Sequence, residues 1–216
     1  MKTKIRTPRK LLLALSGIAC LTMVPAIAGA EKGKFNVQGT WIDGCQCGIP
    51  CACEMIGLER GCEGVGVLAL TAGRYQKGSL DGVKLAYATK PGDWVNLYID
   101  APKPEQHDAA EAFGRAVFSA WGKIESVKNA KITIDGKDGA YVVAVDGGKI
   151  MSLQTEPVLG GDKKTPLVHS NVENALNPTQ FQGRTLKGTY HDGKRSFTLE
   201  NSNAYFNGKM RSKGEI

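Results

Sequence analysis

Five cysteines fall within eighteen residues of this 216-residue chain: Cys45, Cys47, Cys51, Cys53 and Cys62. Their spacing is C-x-C-x3-C-x-C-x8-C, and no other segment gathers reactive side chains in this way. In extended backbone, residues i and i+2 point to one face. Gly48 and Pro50 are turn formers, so the two C-x-C units are expected to fold back on each other. Four sulfurs then share one side of a compact loop, and Cys62 closes it from the next segment.

Thiolates are the softest ligands a protein offers, and they select Cu(I), Zn(II) and similar ions. Mononuclear zinc sites mostly use C-x2-4-C units. The shorter C-x-C spacing suits thiolates that bridge closely spaced ions, which favours Cu(I) over one Zn(II). The expected metal ligands are Cys45, Cys47, Cys51, Cys53 and Cys62. Met55 offers a thioether two residues beyond Cys53, but a thioether there serves more simply as a hydrophobe. Two other outcomes compete with a metal site. Oxidising compartments sustain disulfides, so the loop can be a structural staple with no metal bound, although five cysteines leave one thiol unpaired. Thiol redox chemistry is the third, and it needs a lowered thiolate pKa for which Arg60 is the nearby cation.

The elements that must position these cysteines are mostly strands. Phe35–Ile42 alternates and delivers the chain to the loop. Beyond Cys62, strands are expected at Val65–Leu70, Val83–Ala88 and Trp94–Ile99, separated by Asp-Gly and Pro-Gly turns. One amphipathic helix is expected over residues 104–121. Its stripe is Ala109, Ala112, Phe113, Ala116, Val117, Ala120 and Trp121, with Pro104 and Gly122 as punctuation. A meander follows through Ala130–Ile134, Ala140–Val145 and Lys149–Leu153. The segment Glu156–Gln182, rich in Pro, Gly and Asn, is expected to be an irregular connection. Asp192-Gly193 then marks a hairpin between Thr185–His191 and Lys194–Leu199, and Ala204–Phe206 adds a short strand. The expected fold is α+β, a single domain over residues 31–216, mainly antiparallel sheet with one substantial helix.

Residues 1–30 have the form of an export signal. A basic n-region (Lys2, Lys4, Arg6, Arg9, Lys10) precedes an apolar run from Leu11 to Val24, with small-x-small cleavage patterns at Ala26–Ala30. The run is short for a spanning helix, so no stable membrane insertion of the mature chain is expected. Cys20 leaves with this segment, and Gly17 stands where a lipobox usually has Leu. The formal net charge is +7 for the whole chain. Five basic and no acidic residues stand in the first thirty, which leaves about +2 for the remainder. That small surplus gives no support for a nucleic-acid partner. The expected location is periplasmic or secreted.

Other chemistry is sparse. His107, His169 and His191 are far apart, and only His169 is placed to approach the cysteine loop. Walker, Rossmann, zinc-protease and Gly-x-Ser-x-Gly signatures are absent, so a binding protein is expected rather than an enzyme. Trp41, Trp94 and Trp121 lie on periodic segments and are expected in the core.

Trp41, the double C-x-C with Cys62, the Val65–Leu70 strand, the Leu80-Asp81-Gly82-Val83 turn and the Trp94–Asp100 strand occur together here. In combination they resemble the bacterial family catalogued as domain of unknown function 1326, over roughly Phe35 to the C-terminus. Members of that family tend to carry Pro inside the second cysteine pair, where this chain has Ala52 and places Pro50 just before the pair. The resemblance implies no particular activity. The residues themselves point to soft-metal handling, as a copper buffer, carrier or delivery factor with a metal donor or acceptor protein as partner.

Overall fold

The computed structural model describes residues 32–56 and 61–216. The export segment and Arg60 lie outside the described residues. Lys32–Ile216 form one unit built on a single large sheet. In chain order its elements are β1 (Lys34–Cys45), α1 (Ala52–Ile56), β2 (Gly64–Tyr75), β3 (Gly78–Ser79), β4 (Lys84–Lys90), β5 (Asp93–Asp100) and α2 (His107–Phe118). They continue with β6 (Gly122–Asn129), β7 (Ile132–Lys137), β8 (Ala140–Val145), β9 (Met151–Pro157), β10 (Val168–Ser170), β11 (Thr179–Asp192) and β12 (Arg195–Glu215).

The strands run β6-β5-β4-β2-β1-β12-β11-β9-β8-β7 across the sheet, with β3 added to β2 and β10 to β11. The outermost strands of this path, β6 and β7, are consecutive in the chain. Only Ala130 and Lys131 separate them, and so short a link spans roughly 10 Å. The sheet must therefore curl until its two ends nearly meet. Several hydrogen bonds hold the curl closed. The Ala130 amide donates to the Ile99 carbonyl at 3.0 Å, and the Ile132 amide to Asp100 Oδ2 at 3.0 Å. Across the interior, the Tyr98 and Tyr190 hydroxyls meet at 2.8 Å.

Curling gives each central strand two apolar faces, and the period of two assigns its residues to two cores. Outside the curl, Trp41, Leu68, Leu85, Tyr87 and Leu97 pack with Ala110, Phe113 and Phe118 of α2. Inside it, Ile42, Val65, Val67, Ala86 and Trp94 face Val143, Met151, Leu153, Tyr190 and Leu199. This is why Val65–Leu70 reads as an unbroken apolar run. Gly39 sits where β1 shifts register against both of its neighbours, and a Cβ there would overlap the Ala69 carbonyl.

The expected α+β class with a mainly antiparallel sheet is corrected. The described residues are mostly β, 60% strand against 13% helix, and the sheet is mixed. The physical reason lies in α2: it carries the chain back across the sheet, so β6 enters beside β5 in parallel, Asp93 opposite Gly122. The helix itself is present over the expected span, as 3-10 turns at Pro104–Gln106 and Ser119–Trp121 flanking α2. Its buried stripe is rotated to Ala110, Phe113, Gly114 and Phe118, with Ala112 exposed. The Asp192-Gly193 signal does make a hairpin, closed by Asp192 opposite Arg195. The expected strands at Lys194–Leu199 and Ala204–Phe206 are not separate: Lys194 lies in the turn, and the rest belong to the 21-residue β12. The expected irregular connection, Glu156–Gln182, contains β10 and the start of β11.

Asp192 gives the closed end of the curl a pH dependence. It accepts hydrogen bonds from Lys128 Nζ and Tyr98 Oη, each at 2.7 Å. Burial pushes its carboxyl upward, but these donors outweigh burial and hold it below the ordinary carboxylate range. A carboxylate lowered by folding stabilises at pH values above its unfolded pKa, and that stability is lost as pH falls through the folded pKa. The unfolding midpoint is therefore expected to drop as pH falls below the ordinary aspartate value of about 4. Asp192→Asn should flatten that part of the curve, as read by urea titration at a series of pH values.

Candidate metal centre

Cys45 ends β1, and the loop after it turns back through a cis Ile49–Pro50 bond. Cys51 and Cys53 follow at the start of α1, and Cys62 arrives just before β2. The Gln46 amide donates to the Glu63 carbonyl at 2.9 Å, and the Glu63 amide to Gln46 Oε1 at 3.0 Å, which draws the two ends of the segment together. None of the five cysteines is joined in a disulfide. The sulfurs of Cys47 and Cys53 lie 3.7 Å apart, and those of Cys53 and Cys62 3.6 Å apart.

The sulfurs group by threes. Cys45, Cys47 and Cys51 form one set and Cys47, Cys53 and Cys62 the other, each with its sulfurs within 4.8 Å of one another. Each set has the dimensions to hold a metal ion, since bonds of ~2.3 Å put three ligand sulfurs about 4 Å apart around a trigonal ion. Cys51 is 2% exposed, whereas Cys53 and Cys62 are partly open.

Crowding separates the thiols electrostatically. Hydrogen bonding to Cys47 and Cys51, together with burial, pushes the Cys45 thiol far up. Burial and then Cys62 push Cys53 up. Cys47 moves the other way, because hydrogen bonding from Cys45 favours its thiolate. Any of these thiols that ligates a metal must lose its proton as the metal binds.

Behind the sulfurs stands a polar frame from the far end of the chain. Asn203 of β12 is fully buried. Its Oδ1 accepts from the Cys51 amide at 3.1 Å and from Gln182 Nε2 at 2.9 Å, while its Nδ2 points at Cys45 Sγ, 3.8 Å away. The Asn203 amide donates to the Cys47 carbonyl at 3.0 Å. Tyr205 Oη accepts from the Cys51 amide at 3.1 Å and donates to the Cys51 carbonyl at 3.2 Å. Asp43 completes the frame, taking the Tyr205 amide at 3.0 Å and Trp41 Nε1 at 2.7 Å.

His169, the one histidine that could approach the loop from its place in the sequence, lies in this frame rather than among the sulfurs. Its Nε2 meets Gln182 Oε1 at 3.0 Å and its ring packs edge-on against Tyr205. Sequence reasoning missed Asn203, Gln182, Tyr205 and Asp43. Their one signal was the polar cluster Asn201-Ser202-Asn203 interrupting an apolar pattern.

The cysteines open onto a cavity of about 740 Å³. Cys45, Cys51, Cys53 and Cys62 line one wall, and Val117, Ala120, Trp121 and Leu176 are among the apolar residues of the rest. Ligands can therefore reach the sulfurs through a sheltered, largely apolar space.

No family profile matches the chain, and a search of curated proteins returns no relative. Among solved structures, one described as structural studies of acetoacetate decarboxylase is 11% identical, covers 87% of this chain and 90% of that one, and has a TM-score of 0.37. The enduracididine biosynthesis enzyme MppR, complexed with the condensation product of pyruvate and imidazole 4-carboxaldehyde, is 10% identical over 89% and 91%, with a TM-score of 0.34. Likeness at that level does not bear on activity.

Proposed function

We propose that this protein binds Cu(I) through clustered thiolates and handles it outside the cytoplasm, as a buffer, carrier or delivery factor. The observation that carries the reading is the division of the five cysteine sulfurs into two three-sulfur sets. Cu(I) accepts trigonal sulfur coordination, whereas structural zinc takes four ligands in a tetrahedron. Zn(II) is the weaker competitor for this centre.

The frame supports binding rather than turnover. Asn203 and Tyr205 fix the backbone of Cys51, and a rigid support of this kind holds ligands ready for the ion. No helix among the described residues is long and apolar enough to cross a membrane. The export form of residues 1–30 supports a periplasmic or secreted location, where a metal donor or acceptor protein is the natural partner. The resemblance to the domain of unknown function 1326 family adds no activity to this reading.

A titration tests it. The reduced protein, kept free of oxygen, is titrated with Cu(I) against a competing chelator, beside a variant with all five cysteines changed to serine. Uptake by the native protein and its loss in the variant is expected. Equal, weak uptake by both would overturn the proposal.

A further inference from the structure

We infer that the centre holds two Cu(I) ions, joined by the sulfur of Cys47 and unequal in how readily they leave. This rests on the copper-thiolate reading above and specifies its stoichiometry and its order of exchange. The geometry is direct: Cys47 is the one cysteine common to both three-sulfur sets. An inner ion takes Cys45, Cys47 and Cys51, and an outer ion takes Cys47, Cys53 and Cys62. Every cysteine is then a ligand, and the odd count that defeats pairing into disulfides is what two trigonal sites sharing a corner require.

The bond changes balance without redox chemistry. Each S–H bond gives way to a Cu–S bond and its proton passes to solvent, Cys47 forms two such bonds, and copper stays Cu(I). Five thiolates against two monocations leave net negative charge, which the partly open sulfurs of Cys53 and Cys62 share with water.

The asymmetry comes from the frame. Every member of the inner set is tied to β12: Cys45 at its sulfur, Cys47 at its carbonyl, and Cys51 at both amide and carbonyl. Cys51 is also buried. Cys45 and Cys51 line the cavity as Cys53 and Cys62 do, but Cys53 and Cys62 are both partly open whereas the inner set includes the buried Cys51. An incoming soft ligand in that space reaches a less buried ion at the outer position. The outer ion is the transferable one, and the inner ion is retained.

Native mass spectrometry of the reduced protein titrated with Cu(I) reads the stoichiometry. Two ions per chain are expected, falling to one in the double variant Cys53→Ser, Cys62→Ser. X-ray absorption should show a copper–copper path in the native protein and none in the double variant. With a competing chelator, release should be biphasic, the first ion leaving at least about tenfold more readily. A single ion bound by the native protein, or no copper–copper path, would overturn the shared-sulfur pair while leaving Cu(I) binding intact. Single-phase release would overturn the unequal order. Failure to bind any Cu(I) would remove both this inference and the function on which it rests. Should the double variant fold poorly by circular dichroism, the native stoichiometry and the copper–copper path decide the matter.

Discussion

Replacing Trp41 with alanine is expected to destabilise the metal-free protein by about 3–5 kcal/mol, the range for deleting a large aromatic from a packed core. The indole is fully buried and makes ring contacts with Tyr87, Phe118 and Trp121. It is also the start of a polar chain, since its Nε1 donates to Asp43, which receives the Tyr205 amide. Trp41→Phe keeps most of the ring packing and removes that donor, so a smaller loss of about 1–3 kcal/mol is expected. Urea titration of both variants separates the two parts. Equal losses would show that the hydrogen bond, not the ring, dominates at this position.

The second large effect belongs to Asn203. Its alanine variant should lose about 1–3 kcal/mol of stability, at the lower end of that range because the donors it serves have second partners. The Cys51 amide also reaches Tyr205 Oη, and Gln182 Nε2 also reaches the Gly183 and Ala204 carbonyls. The effect on metal should be larger in proportion, about 10–100-fold in Cu(I) affinity, as for other groups that orient ligands from behind. Asn203→Asp keeps the acceptor for Cys51 and Gln182 but sets a carboxylate beside the Cys45 sulfur. It should be the more stable of the two variants and the poorer copper binder. Chelator competition measures the affinity and urea the stability. Parallel losses in both quantities would mean that Asn203 acts only through packing.

How much of this was legible beforehand follows from how local each feature is. The cysteine loop and most strands are written in neighbouring residues: spacing, alternation, and turn dipeptides such as Asp138-Gly139, where both residues take positive φ. The partners of the loop are not local. Gln182, Asn203 and Tyr205 are polar or half-polar residues on strands, and only their burial against Cys45–Cys51 reveals their purpose. β6 was unreadable for a different reason. Lys123-Ile124-Glu125-Ser126-Val127-Lys128 is a sparsely apolar edge strand, and its parallel direction is set by the return of α2 rather than by its own residues. β12 read as two pieces because Asn201, at φ +48°, and its polar neighbours resemble a turn. Asn203, one of those neighbours, belongs to the frame behind the cysteine cluster.

The pairing of β1 with β12 at the middle of the sheet joins the first and last strands of the described chain. Cys45 precedes Asn203 by 158 residues. At ordinary rates of protein synthesis, that distance corresponds to about 8–30 s. Throughout that interval the five thiols exist without the residues that orient them, and no local pairing can substitute for a strand that has not been made. The sheet's least local contact is also the one that completes the centre. A chain cut short before β12 would carry every cysteine but lack the Asn203 and Tyr205 contacts that orient Cys45, Cys47 and Cys51.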